Sequence, residues 1–465
     1  MSWNTIAKAF KNADMRKRFM WVAIMMLIFR AMAFIPIPLA EPTQLRQILD
    51  SLFNSQQLLG FLDLLSGGAL RNFSIVLMGL GPYINASIIF QLLQKAIPKL
   101  EEISQDGESG RRKINQYTRL ATLPLAMIQS VGLLLLIRQQ ASSISGIDIT
   151  SGSSLLQWVL MIIALTGGSM LLMWIGELMT EQGVGNGISL LIFAGIISQI
   201  PSISATIYSS IASSFGTDIQ YSFFGWFTVP INLTVVVIIT AFLIGSLLLT
   251  YFVVKLNEAQ RLITVSYAKR VRGNRAYGGV DSVLPIKLII AGVIPIIFAV
   301  AFLSVPSFLG QLMSNTNSAL ISGWGANLVT WFQSSTQSGA ASGANTWIYP
   351  IAYFLLVILF TYFYTGIVFN AKEIAENLQS QGGFIAGIRP GKQTEEFLKK
   401  IVSRLNFVGS ISLAFLAVIP FIVQGLLGTS SLTLGGTGLL IVVSVAVETL
   451  RQVESRALMI TYDQS

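Results

Sequence analysis

Ten apolar runs, each close to the roughly 20 residues a helix needs to cross a bilayer, leave this chain few ways to fold. They lie near 19–39, 74–94, 116–137, 155–179, 187–209, 229–254, 284–309, 349–370, 402–425 and 436–457. Lipid offers backbone N–H and C=O groups no partner, so such runs are expected to be helices. Composition agrees: 53% of residues are hydrophobic, 11% are charged and the mean hydropathy is +0.68, well outside soluble averages. The expected fold class is an all-α integral membrane protein with ten transmembrane helices in two pseudo-symmetric five-helix halves, 1–210 and 211–465. The basic loops follow the second run of the first half but the sixth and eighth runs overall. That placement is compatible with halves of opposite orientation, although no internal sequence repeat is visible.

The distribution of charge orients the runs. Of the 30 Lys and Arg residues, 26 fall before the first run, at the second-to-third, sixth-to-seventh and eighth-to-ninth connections, or at the C-terminal end. The other four are Arg30, Arg46, Arg71 and Arg138, and the loops 210–228, 310–348 and 426–435 contain none. This asymmetry predicts that both termini are cytoplasmic. The formal charge of +9 is then explained by basic cytoplasmic loops, chiefly 255–283 and 371–401. The N-terminus has features of a secretory signal: a basic stretch from Lys8 to Arg18, an apolar run from Phe19, and Ala31-Met32-Ala33. Because the run continues to Pro38, the expectation is a retained first span.

What the chain lacks excludes several chemistries. There is no Cys and no His, which removes disulfides, Ser-His and Cys-His nucleophile pairs, HExxH zinc sites and the usual pH switch. Gly391-Lys392 is followed by Gln393, so there is no phosphate-binding loop of the Walker type. No catalytic residue, cofactor or metal is expected, and any work must draw on a partner or a gradient.

The second run is unusual. Residues 79–94, "GLGPYINASIIFQLLQ", open with Gly-x-Gly-Pro and carry Ser87, Gln91 and Gln94 in a stripe about 60° wide. Just before it, residues 61–72, "FLDLLSGGALRN", are apolar but too short to cross and are broken by Gly67-Gly68. A broken element at membrane depth is buried in protein or lines a cavity, unless it lies in the interface as an amphipathic helix.

Several ordered segments resemble the SecY family of protein-conducting channel subunits. They are "SGGALRNFSIVLMGLGPYINASIIFQLL" (66–93), "GVGNGISLLIFAGI" (183–196), "SYAKRVRGNRAYGG" with "LPIKLIIAGVIPIIFA" (266–299), "VFNAKEIAENLQSQGGFIAGIRPGKQT" (368–394) and "GGTGLLIVVSVAVET" (435–449). The resemblance implies a channel that passes unfolded secretory polypeptides and releases membrane segments sideways into the cytoplasmic membrane of a bacterium. It implies a pore ring of Leu80, Ile84, Ile192, Ile196, Ile297 and Ile441, and a plug at Phe61, Leu64, Leu65, Ser66, Gly67, Gly68, Ala69 and Leu70. A lateral gate is implied at Ser87, Ile88, Gln91, Thr122, Gln129, Ile289 and Val293. Docking of a SecA ATPase or a ribosome, the latter through rRNA contacts, falls to Lys269, Arg270, Arg272, Arg275 and Arg389. Further implied partners are SecE-like and SecG-like small membrane subunits, signal sequences, nascent chains and membrane lipids.

Physical chemistry supports parts of that assignment. An apolar ring seals by dewetting and yields around any chain, whereas specific polar contacts would trap some substrates. Residues 80/84 and 192/196 are each spaced to share a helix face. Taken singly, an Ile in a membrane helix is ordinary packing. Pro285 and Pro295 are expected to place breaks within the seventh span. Gly185-Asn186-Gly187 is expected to start a helix tightly. Glu177, near Trp174 at a span end, is expected to be a structural acceptor. One position departs from the family pattern: Ile289 stands where the family usually carries an Asn facing the gate.

Two other functions compete. A secondary solute transporter also uses broken helices and inverted halves, but it generally needs a polar or charged midplane site; here Arg30 and Glu177 lie near span ends. An intramembrane enzyme would need carboxylate or Ser/Lys chemistry, and no paired intramembrane carboxylates are visible.

Overall fold

The computed structural model describes residues 12–37, 66–70, 72–145, 155–202, 204–205, 208–209, 221–223, 227–229, 233–267, 270–272, 275–277, 281–314, 319–332, 347–427 and 431–463. Each of the ten apolar runs contains a helix. These are α1 (Ala13–Met32), α2 (Gly81–Ala96), α4 (Gly107–Ser145), α5 (Leu155–Gln182), α6 (Gly187–Ile197), α7 (Leu233–Glu258), α8 (Ile294–Ser314), α10 (Ile348–Val368), α12 (Lys392–Leu427) and α13 (Ser431–Asp463). Shorter helices are α3 (Pro98–Gln105), α9 (Ala319–Phe332) and α11 (Ala371–Ser380). Among the described residues, five helices are long and apolar enough to cross a membrane by themselves: Arg112–Leu135, Leu155–Gln182, Ile239–Glu258, Ile348–Ser380 and Lys392–Val423. Large apolar side chains such as Leu27, Leu120, Leu155, Leu247 and Leu355 are exposed on helix surfaces, as a lipid solvent requires.

Helix starts follow the local sequence. Asn12 caps α1 by accepting from the Asp14 N–H at 2.9 Å, and Asp14 and Arg30 place charges of the favourable sign in its first and last turns. The Asn186 side chain accepts from the N–H groups of Ile188 and Ser189 at 3.0 and 3.3 Å. Gly187 is required beside it, because a Cβ there would overlap the carbonyl oxygen of Gly176. The 183–196 motif is thus a tight connection that lays α6 against α5.

The start of α8 differs from expectation. Pro285 lies in a strand, β6 (Asp281–Lys287), and Pro295 sits in the first turn of α8, where a missing N–H leaves no helix bond unmade. The two prolines therefore precede and open the helix rather than kink it. Pro306, Pro124 and Pro420 are the prolines inside α8, α4 and α12.

The chain forms two compact units: 1–246 with 300–349 and 420–465, and 247–299 with 350–419. In the first, α2 packs on α4, α4 on α5, α5 on α6 and α1, and α6 on α13. A short hairpin, β1 (Tyr221–Phe223) with β2 (Phe227–Val229), also belongs to it. Its apolar core includes Ile37, Leu70, Phe73, Leu77, Leu134, Met161 and Leu165. Two guanidinium groups converge on the C-terminus of α5: Arg18 donates to the Gln182 carbonyl at 3.0 Å, and Arg456 lies where a Cβ on Gly183 would be. The N-terminal end of α1 and the C-terminal ends of α5 and α13 thus share one side.

The second unit contains a sheet that charge-based reading of the loops did not anticipate. β3 (Gln260–Tyr267) pairs antiparallel with β6, and on its other edge with β7 (Gly383–Ile385). Val265 lies opposite both Ser282 and Ile385. Ile263, Val265, Ile286 and Ile385 turn inward onto Ala371, Leu398, Ile401 and Val402 of α11 and α12. Pro285 is tolerated because β6 is an edge strand.

Candidate pore, plug and gate

Residues 66–80 are held by polar anchors. The stretch 72–80 runs as successive turns, pairing with the segment after α1 through a bridge between Pro36 and Ser74. The Ile37 N–H donates to the Phe73 carbonyl at 2.9 Å and the Ile75 N–H to the Ile35 carbonyl at 3.0 Å. The Ser74 hydroxyl donates to the Met32 carbonyl at 2.6 Å, and the Asn72 amide to that of Ala33 at 3.3 Å. At Gly67 the carbonyl accepts from Arg30 Nη1. The Ser198 hydroxyl lies 3.4 Å from the same oxygen, but its one proton has a better acceptor in Gly195 O at 2.6 Å.

Two glycines make the close approach possible. Gly67 has φ +70°, and a Cβ there would come within 2.9 Å of Phe29 Cζ and 3.1 Å of Gly195 Cα. Gly79, at φ +56°, would place a Cβ 3.3 Å from Ser66 Cα. Ser66, Ala69 and Leu70 are buried. Phe61, Leu64 and Leu65 lie outside the described residues.

The six candidate ring residues, Leu80, Ile84, Ile192, Ile196, Ile297 and Ile441, are all buried. Leu80 precedes α2 and its carbonyl accepts from the Ile84 N–H at 3.0 Å. Ile192 and Ile196 share one face of α6, which packs on the helix of Ile441, α13. Five of the six belong to the first unit, and Ile297 to the second. The glycine contacts adjoin this set: Gly79 precedes Leu80, and Gly195 precedes Ile196.

Of the candidate gate residues, Ser87, Ile88 and Gln91 are on α2, and Thr122 and Gln129 on α4, the helix α2 packs against. Gln91 Nε2 donates to Ser87 Oγ at 2.9 Å. Its Oε1 is buried and unpartnered among the described residues, a state that costs about 1–3 kcal/mol. Thr122 donates back to the Thr118 carbonyl at 2.8 Å, so its proton is used within its own helix. Ile289 and Val293 are buried in the non-helical stretch before α8. There α12 comes close: a Cβ on Gly409 would lie 2.5 Å from the Leu288 carbonyl oxygen and 3.6 Å from Ile289 Cγ1.

The basic residues sit on the sheet side of the second unit. Arg270, Arg272 and Arg275 lie on a two-stranded hairpin, β4 (Arg270–Arg272) with β5 (Arg275–Tyr277); Lys269 is outside the described residues. Arg389 is exposed between β7 and α12, its carbonyl accepting from Thr394 Oγ1 at 3.0 Å. Pairing of β3 with β7 therefore ties the two basic loops together. At the start of α12, Lys399 lies 2.7 Å from the Glu395 carboxylate.

Three polar contacts were not evident from sequence. Glu177 pairs through both oxygens with Arg119, at 2.7 and 2.6 Å, which makes it a structural acceptor with a specific partner. Thr365 Oγ1 donates to the Thr361 carbonyl at 2.7 Å and lies 3.0 Å from Asn406 Oδ1, a buried contact between α10 and α12. Arg30 reaches Gly67. An ionisable group inside a span marks a site by default, and that signal was available for Arg30.

A family model described as SecY matches residues 74–450. The protein translocase subunit SecY of Corynebacterium glutamicum is 38% identical over 468 residues, covering 99% of each chain. Two solved structures share the fold. One is a SecY protein whose plug domain is described as stabilising the closed state and maintaining a membrane seal (TM-score 0.61, 21% identity, 93% of this chain and 90% of that one). The other is Sec61 in a canine ribosome–channel complex (TM-score 0.57, 20% identity, 93% and 90%).

Proposed function

Because the chain belongs to the SecY family, we propose that it is the central subunit of a protein translocon in the cytoplasmic membrane of a bacterium. It passes unfolded secretory polypeptides across that membrane and releases apolar segments sideways into lipid. The ten spans form halves 1–210 and 211–465, with both termini cytoplasmic. Leu80, Ile84, Ile192, Ile196, Ile297 and Ile441 form the constriction, residues 61–70 close it, and Ser87, Ile88, Gln91, Thr122, Gln129, Ile289 and Val293 border the lateral opening. The sheet-linked loops with Lys269, Arg270, Arg272, Arg275 and Arg389 receive the SecA ATPase or the ribosome, since Arg pairs bidentately with carboxylate and contacts phosphate. SecE-like and SecG-like subunits complete the assembly.

One observation carries this reading. The segment at 66–70 touches Gly79 and Gly195, each one residue from a candidate ring position. A broken element seated against that apolar set is what a closable constriction requires, whereas a solute carrier would place polar ligands there. The test is import of a precursor into vesicles containing the reconstituted assembly with ATP and SecA. Protease-protected precursor is expected. Vesicles that accumulate a small solute but import no precursor would contradict the reading.

A further inference from the structure

We infer that Arg30 is a positioning residue for the plug: its guanidinium, at the end of α1, holds the Gly67 main-chain carbonyl and so sets how readily the channel opens. The inference rests on the channel reading above and goes beyond it, since none of the ring, plug or docking residues is Arg30.

The geometry fits a reversible latch. Arg30 lies in the last turn of α1, where the helix dipole favours a cation whether or not the plug is present. Its guanidinium also sits over the Phe34 ring, 5.0 Å from the centroid, a second favourable contact independent of the plug. Withdrawal of residues 66–70 therefore removes the charge-assisted bond to Gly67 without stranding a bare charge at membrane depth. The acceptor is a main-chain oxygen, so the latch needs no side chain from the plug. Gly68, at φ +83°, lies beside the guanidinium, and a Cβ there would be in ordinary contact with Nη1 at 3.8 Å. The close packing of Gly67 on Phe29 and Gly195 positions the carbonyl but is non-directional. Arg30 supplies the directional part, and it is the only cation among the contacts described at Gly67.

Double-mutant analysis separates a latch from a purely structural arginine. Arg30→Met and Arg30→Lys would each be placed in the full chain and in a chain lacking 61–70, assembled with its partner subunits in planar bilayers. The readouts are resting ion conductance and export rate of precursors with weakened signal sequences. Arg30→Met should raise resting conductance on the order of tenfold, about 1.4 kcal/mol of closure, and speed export of the weak precursors. Arg30→Lys keeps the charge and a donor, and should leak clearly less than Met. In the plug-less chain Arg30→Met should add less than twofold. A Met variant as tight as the parent, a Lys variant as leaky as Met, or an equal rise in the plug-less chain would each overturn the latch. Failure of the channel reading looks different: deleting 61–70 would leave conductance unchanged and the parent would import no precursor.

Discussion

The segment at 66–79 and the proposed apolar ring that begins at Leu80 are neighbours built on opposite principles. The segment is fixed by directional bonds to main-chain oxygens from Arg30, Asn72 and Ser74, and by Gly67 and Gly79, where a Cβ would crowd Phe29, Gly195 or Ser66. Leu80, Ile84, Ile192 and Ile196 offer only branched apolar surface. On the proposed reading, the contrast follows from what each must tolerate. A constriction that accommodates every polypeptide sequence gains nothing from specific bonds, which would retain some substrates longer than others. A closing element must return to one place, and directional bonds define one place.

Gly67→Val attacks the seated side and should have the largest effect. The left-handed backbone costs a β-branched residue about 1–2 kcal/mol, and the methyl groups meet Phe29 and Gly195, adding roughly 1–3 kcal/mol of overpacking. Resting conductance should rise about a hundredfold, approaching that of the chain lacking 61–70. Conductance like that of the parent would show that the seat tolerates a side chain and is not fixed by its glycines.

Ile297→Asn attacks the yielding side. One amide in a dewetted ring lets water in, so about tenfold more ion leak and faster export of precursors with weak signals are expected. Unchanged conductance and unchanged signal stringency would remove Ile297 from the ring.

Ile289→Asn has the smallest expected effect and gives an apolar position a directional bond. An interhelical amide contact is worth about 0.6–2 kcal/mol in a membrane, so closure should strengthen and export of weakly hydrophobic signals should slow a few-fold. Faster export would mean that position 289 does not face the gate. Its contact near Gly409 already shows one neighbour that is not across it.

Much of this organisation was legible in the sequence, because lipid enforces long apolar runs and their Lys/Arg flanks. All ten runs contain helices, and Asn186 with Gly187 starts α6 as the Gly-Asn-Gly pattern suggested. The beginning of α8 was misplaced because hydropathy does not distinguish an apolar strand from a helix: "LPIKLII" continues the apolar run, yet its first four residues pair with β3. The sheet itself was overlooked because Val265 and Ile385 are far apart in sequence and their loops read chiefly as charge. The anchors of the seated segment were hidden for another reason. Their acceptors are the carbonyls of Gly67, Ala33 and Met32, and a carbonyl has no residue signature.

Passage of polypeptides through the proposed apolar ring can be measured directly, because the chain has no natural cysteine. Single cysteines would be placed at 84, 192 and 297, and as controls at the exposed helix positions 27 and 247. A precursor carrying one cysteine would be stalled midway through the reconstituted assembly and oxidised. Disulfide adducts are expected at 84, 192 and 297 and none at 27 or 247. Adducts at the controls with none at the three ring positions would contradict passage through the ring.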